Sequence, residues 1–174
     1  MHTTLSRATP AGGRLPAREQ WGLWGVLLCS LAGTLVALYL LTLHFQISGN
    51  PSRGLCTFTD TLSCDKVLAS EYAEMAGVPV ALFGVVGFAL LAVMAAARLW
   101  WGNRVPRGIP TVLVLVGGAG LAFELGMTWI EVFVIQALCP YCITALGLIA
   151  ASFVAAGVAW REQRASAGME VGRG

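Results

Sequence analysis

The sequence predicts an all-α integral membrane protein: a bundle of four transmembrane helices with an extracytoplasmic loop carrying a short amphipathic helix. Composition is the first observation behind this. Of 174 residues 57% are hydrophobic and 11% charged, with a mean hydropathy of +0.74, whereas a soluble domain carries about 25% charged residues. The second is the distribution of those charges, which leaves four long stretches nearly free of them. A spanning helix needs about 20 mainly apolar residues, and each stretch is long enough.

The first runs from Trp21 to about Phe45 without an acidic or basic residue other than His44. It exceeds the apolar region of about 7–15 residues in a secretory signal, and it continues into Leu40, Leu41 and Leu43 rather than into a small-residue cleavage site. It is read as a retained span. The second covers Val78 to Ala97, with Pro79 suited to a helix's first turn. The third extends from Pro110 to about Gln136, interrupted by Glu124 and Glu131, and the fourth from about Ala137 to Trp160. The chain divides into an N-terminal tail (1–20), a membrane domain (21–160) with a loop at about 44–77, and a C-terminal tail (161–174).

Positive charge orients the bundle, because cytoplasmic flanks are enriched in Lys and Arg. Arg7, Arg14 and Arg18 precede the first span; Arg98, Arg104 and Arg107 lie between the second and third; Arg161, Arg164 and Arg173 follow the fourth. These three segments share one side and hold nine of the eleven basic residues. That side is expected to be the cytoplasm, with both termini on it. The net charge of +2 then reflects topology, and no dense basic face invites nucleic acid.

The loop carrying Cys56 and Cys64 falls outside, as does the tight link before Cys139 and Cys142. Four thiols are thus expected at the extracytoplasmic face, where disulfides persist. Within the loop, Ser48-Gly49-Asn50-Pro51-Ser52 reads as a turn cluster. Asp65 to Ala76 reads as a helix capped by Ser63 or Asp65, with Val67, Leu68, Tyr72 and Met75 on one face. Such a helix would lie on the membrane surface and roof the bundle.

Cys139-Pro140-Tyr141-Cys142 carries the chemistry. If a helix starts near Cys139, Pro140 falls in its first turn and the two thiols share a face. Free amides and the helix dipole there are expected to lower a cysteine pKa from about 8.5. One thiol can then attack a disulfide and its neighbour can resolve the product. Cys142, one turn deeper, lies where a lipid-soluble electron acceptor would reside. The same spacing also serves haem and zinc. Ile143 rather than His follows Cys142, against haem attachment; the eight positions separating Cys56 from Cys64 exceed the usual zinc spacing, leaving a zinc cluster as an alternative. Cys29 is expected to pack within the first span. Non-catalytic disulfides stapling the loop are the other alternative.

Taken together, Cys56 and Cys64 with seven residues between, Ser70, Tyr72, Cys139-Pro140-Tyr141-Cys142, and Gly77-Val78-Pro79-Val80-Ala81-Leu82-Phe83-Gly84 at the second span resemble the vitamin K epoxide reductase family, its bacterial members above all. The resemblance covers roughly residues 20 to 160. It implies a four-helix bundle around a quinone, menaquinone or ubiquinone, with no metal. It further implies a thiol:quinone oxidoreductase of the bacterial cytoplasmic membrane that supports disulfide formation in exported proteins. Cys139 and Cys142 would be the active-site pair, Cys142 meeting the quinone; Cys64 would exchange with Cys139, and Cys56 would meet the partner. Ser70 would bond a loop thiol or a quinone oxygen. Some bacterial members carry a fused thioredoxin domain; this chain has no room for one, so a separate thioredoxin-fold oxidase is expected.

In vertebrate members an asparagine on the second helix and a tyrosine beyond the membrane motif bind the naphthoquinone. The matching positions here are Val80 and Leu146, which donate no hydrogen bond, and this favours generic quinone reduction over vitamin K epoxide. A carboxylate in a span defaults to a functional hypothesis. Glu131 is expected near the outer surface, hydrated or relaying a proton, and Glu124 deeper, paired or protonated. Leu68, Phe83, Met127, Glu131 and Ile135 are candidate walls of the quinone pocket.

Overall fold

The computed structural model describes residues 15–49, 56, 59 and 61–171. Most of the expected turn cluster, from Asn50 on, lies outside them, as do Arg7, Arg14, Arg53 and Arg173. The elements are α1 (Ala17–Gly49), α2 (Cys64–Leu68), the two-residue strands β1 (Glu74–Met75) and β2 (Val78–Pro79), α3 (Val80–Trp101), α4 (Ile109–Ile130) and α5 (Pro140–Val171). Four helices are long and apolar enough to cross a membrane: α1, α3, α4 with its terminal turn, and α5. The expected all-α four-helix bundle is the fold.

Local chemistry fixes the helix ends. Pro79 stands just outside α3 at its N-cap, with φ −56° and ψ 129°, rather than in the first turn. It closes β2, because a proline cannot donate to a further ladder bond. Pro110 does lie in the first turn of α4, where its missing N–H leaves nothing unpaired. Gly102 ends α3 with φ 49°, a conformation cheap only for glycine. The fourth helix continues past Trp160 to Val171, so the segment expected as a tail is largely an extension of α5.

In the bundle α1 is central, packed along both α3 and α5; α4 lies against α5 and meets α3 more slightly. Small residues permit the close contacts, as is usual where lipid supplies no hydrophobic drive between helices. A Cβ on Gly22 would lie 2.8 Å from the Ala155 carbonyl oxygen and 2.9 Å from the Ala159 nitrogen; one on Gly33 would lie 2.5 Å from the Phe88 ring. Leu23, Val26, Leu91, Ala95, Leu113 and Ala159 form the buried centre. A second cluster at the loop end unites Leu40, Leu43 and Ile47 with Cys56, Cys64, Val67, Leu68, Ala137 and Cys139.

The opposite end is held electrostatically. Arg98 lies within α3 and is buried, with Nε and Nη2 each 3.0 Å from Glu19 Oε1 and Nη1 donating to the Gly102 carbonyl at 2.8 Å. Arg98 is therefore a paired helix residue rather than a loop charge. Exposed Trp21, Trp24, Trp100 and Trp101 ring this end, the pattern of an interfacial aromatic belt.

The roofing segment departs from the expected single helix over Asp65 to Ala76. It breaks after Leu68: Ser70 donates its hydroxyl to the Val67 carbonyl at 2.7 Å, claiming an acceptor that a continuing helix would use. A 3₁₀ turn over Glu71–Ala73 follows, then a hairpin pairing Met75 with Val78. Its two-residue link, Ala76-Gly77, has φ of 53° and 79°, the positive values that a type I′ hairpin turn requires. Met75 thus projects from a strand and does not share a helical face with Val67 and Leu68.

Candidate active site

Two backbone devices bring the loop thiols to α5. Ser63 caps α2, its Oγ accepting from the Lys66 amide at 3.2 Å. Leu62 and Leu138 form a parallel bridge, with the Ser63 amide donating to the Leu138 carbonyl at 3.1 Å and the Leu138 amide to the Thr61 carbonyl at 2.8 Å. The loop is thereby tied to the residue directly before Cys139. Cys56 is drawn in by its own amide, which donates to Asp65 Oδ2 at 3.2 Å, and by its carbonyl, which accepts from the Cys64 amide at 3.1 Å.

The sulfurs that result are continuous. Cys56 Sγ lies 2.7 Å from Cys64 Sγ, and Cys64 Sγ lies 3.0 Å from Cys139 Sγ. The Cys139 thiol in turn interacts with that of Cys142. All four are free thiols, as is Cys29, which sits apart on α1. Cys64 contacts both a loop thiol and a helix thiol, which suits a residue that exchanges in both directions.

Cys139 stands at the N-terminus of α5, its carbonyl accepting the Ile143 amide at 3.1 Å. Its own amide donates to Glu131 Oε2 at 3.1 Å. Glu131 is buried, not hydrated at the surface as one reading of its position suggested. What buries it is a π turn over Glu131–Ile135 that ends α4, with Gln136 left-handed at φ 55°. The wider turn sends the Glu131 carbonyl to the Ala137 amide at 3.1 Å and its carboxyl to the Cys139 amide. Single π turns inside helices often mark functional sites.

The expectation of an acidified thiol at the helix end is reversed. The Cys139 thiol is raised above the ordinary range, first by its hydrogen bond with Cys142 and also by burial. The Cys142 amide in the first turn still favours the Cys139 thiolate, but the thiol hydrogen bond and burial outweigh it. Cys64 is raised by its bond with Cys139 and then by burial. Burial, with the Cys64 thiol second, pushes Cys56 up to about 12. In the reduced protein Cys56, Cys64 and Cys139 are thus all harder to ionise than an ordinary cysteine.

Below Cys142 the bundle opens into a cleft. Leu68, Met127, Glu131 and Ile135 line it, together with Ser70 and Cys142. Phe83 does not; it lines a neighbouring cleft between α3 and α4 that shares Gly84, Phe88 and Glu124 with the first. Ser70 spends its proton on the Val67 carbonyl, so no loop thiol receives it. Val80 is on the wall, whereas Leu146 packs against the main core. His44 also lines the cleft. The sequence marked it only as the place where the loop begins, though an imidazole closing an otherwise apolar span is itself a signal.

The lining fits a quinone. Its walls are mainly aliphatic, and hydrogen-bonding groups from Cys142, Ser70, His44, Glu124 and Glu131 are distributed around them, as a flat apolar ring with two carbonyl oxygens requires. Among the described residues no group of three or more His, Cys, Asp or Glu side chains converges as metal ligands would.

Four spans with a chain of thiols running from a loop to a cleft inside the bundle define a class, the membrane proteins that exchange electrons between thiols and disulfides. The chain belongs to the vitamin K epoxide reductase family, whose family model matches residues 24–156. It is accordingly a membrane oxidoreductase acting on disulfides or quinones.

Proposed function

We propose that the protein is a thiol:quinone oxidoreductase that reoxidises a separate, thioredoxin-fold, disulfide-forming partner and so supports disulfide formation in exported proteins. The observation that carries this reading is the sulfur chain, with gaps of 2.7 and 3.0 Å, leading from the loop to the cleft. In the resting oxidised form Cys56 is bonded to Cys64, and Cys139 to Cys142. A partner thiolate attacks Cys56, and Cys64 leaves as thiolate; the partner's second thiol then breaks the mixed disulfide and departs oxidised. Cys64 attacks Cys139, releasing Cys142. Cys56 attacks Cys64, restoring the loop disulfide and releasing Cys139. A quinone bound in the cleft supplies an acceptor for two electrons and two protons. Cys139 and Cys142 give up the two electrons and close again, so partner dithiol and quinone become partner disulfide and quinol, the quinol's two protons balancing the two that the partner sheds. Glu131, in hydrogen-bond contact with Cys142, holds the proton that leaves this thiol. Each exchange needs a thiolate facing the next sulfur.

The thiol end faces the extracytoplasmic side of a bacterial cytoplasmic membrane, with both termini in the cytoplasm. The support is the arginine distribution, nine of eleven basic residues flanking the opposite end. Val80 and Leu146 favour a menaquinone or ubiquinone over vitamin K epoxide.

The test is purified protein in lipid with quinone and a reduced thioredoxin-fold protein. Quinone reduction is expected, and Cys142→Ala should abolish it while accumulating a Cys64–Cys139 disulfide on peptide mapping. Undiminished activity in that variant, or a map showing only Cys56–Cys64, would overturn the reading. Labelling of reduced Cys56 in intact cells by a membrane-impermeant thiol reagent tests the orientation.

A further inference from the structure

Sulfur exchange moves electrons inward but leaves the partner's protons at the outer surface. A quinone reduced in the cleft would still need a proton on each oxygen, and with one oxygen at Cys142 the other would lie remote from it. The cleft wall is mostly hydrocarbon, so the far oxygen needs a donor of its own. One side chain there connects cleft to water. His44, near the end of α1, has a side chain only 5% exposed, yet its Nε2 lies 3.2 Å from Oε1 of Glu74, which is 50% exposed. Nδ1 is buried and has no hydrogen-bond partner among the described residues. A buried polar atom left unpaired carries a desolvation penalty, and such an atom in a native protein calls for a reason.

The position of His44 supplies the reason. It lines the cleft that holds Cys142 and also a second, polar cleft formed with Ser48, Ser70, Glu71 and Glu74. An imidazole can accept a proton on one ring nitrogen and release one from the other. We propose that His44 donates a proton to the quinone oxygen remote from Cys142 and is recharged from outside water through Glu74. This rests on the thiol:quinone reading above. The balance is closed: two protons shed by the partner dithiol enter the outer water, and two are taken up, one from the Cys142 and Glu131 side and one through Glu74 and His44. The charged and titratable groups lining the two clefts with His44 are Glu71, Tyr72 and Glu74 from the loop, Glu124 and Glu131 from the α4 side, and Cys142 from α5. Ser70, which lines both clefts, is already committed to the Val67 carbonyl.

The test separates the two halves of the reaction in the full-length protein reconstituted in phospholipid vesicles. One half is reduction of the oxidised protein by dithiothreitol without quinone; the other is single-turnover reoxidation of the reduced protein by a short-chain ubiquinone. His44→Gln should leave the first half unchanged and slow the second by about tenfold or more, the scale of a lost general acid. The wild-type second half should slow as pH rises and slow in D₂O, and both effects should weaken in His44→Gln. Glu74→Gln, changed at an exposed site, should slow the second half and spare the first. Wild-type rates and pH dependence in both variants would overturn the assignment, as would equal slowing of the two halves, which marks a merely structural residue. A wild-type protein that exchanges thiols but reduces no quinone overturns the underlying reading, and the proton route with it.

Discussion

Cys64 has a neighbouring sulfur on each side, 2.7 Å toward the loop and 3.0 Å toward α5, and Cys139 likewise stands between Cys64 and Cys142. Proximity of this kind has a cost in acidity, because each thiol donates to the next and burial opposes the thiolate. The Cys56 pKa, pushed up to about 12, gives a measurable consequence. A raised pKa leaves less thiolate at neutral pH, so in the fully reduced protein Cys56 should alkylate slowly at pH 7 to 8. Its rate should climb about tenfold per pH unit through pH 9 to 11, where an ordinary cysteine near 8.5 has already levelled off. Iodoacetamide labelling followed by mass spectrometry of the Cys56 peptide reads this directly. Glu131 offers a second outcome. Glu131→Gln retains an oxygen for the Cys139 amide and should keep near wild-type stability while slowing quinone reduction; Glu131→Ala strands that buried amide and should lose about 1–3 kcal/mol in a denaturant titration. The four cysteines were legible as a functional set from their spacing. The role of Glu131 as a cap was not, because it depends on a π turn that has no simple apolar periodicity.

Among the elements, the segment between the first two spans departs furthest from its sequence pattern. Val67, Leu68, Tyr72 and Met75 recur at helical intervals, but the backbone spends Ser70 on Val67 and turns at Ala76-Gly77. Local hydrogen bonding by a serine, and a glycine that accepts positive φ, override an amphipathic pattern this short. The bridge between Leu62 and Leu138 was also illegible, since it joins residues 76 positions apart. It supplies the alignment of the thiol chain. Leu138→Pro removes the amide bonded to the Thr61 carbonyl and should depress disulfide exchange by roughly a hundredfold, the scale of an ångström-sized misplacement, with helical circular dichroism little altered. Ser63→Ala, which removes the α2 cap, should cost about 0.5–2 kcal/mol, visible as faster proteolysis of the loop.

At the scale of the whole molecule the two ends do different work. The thiol end holds the chemistry, and the opposite end holds the bundle together through Glu19 and Arg98, both nearly fully buried. Removing one partner leaves an unpaired buried charge, so Glu19→Ala or Arg98→Ala should destabilise by about 3–5 kcal/mol, and a matched apolar pair at both sites should recover most of this. Unfolding in mixed detergent micelles measures it, and the exchange rate of the surviving folded protein should be unchanged. Gly22 sets the spacing of α1 and α5. A methyl there meets backbone atoms that cannot rotate away, so Gly22→Ala should cost about 1–3 kcal/mol. Gly33→Ala should cost less if the Phe88 ring swings aside.

The sequence by itself determined the four spans, since nearly charge-free runs of this length leave the chain little choice in a bilayer. It also supplied the candidate reactive groups, since the four cysteines can be read directly from the chain. Tertiary structure alone decided which sulfur touches which, because that order comes from a backbone bridge and a cap between distant segments. It likewise decided that Glu131 is buried beside the thiols, that Phe83 belongs to a neighbouring cleft, and that His44 lines both the cleft below Cys142 and the polar cleft beside it. Hydropathy is a property of each residue and can be read along the chain, whereas these contacts arise only when two segments far apart in sequence share one space.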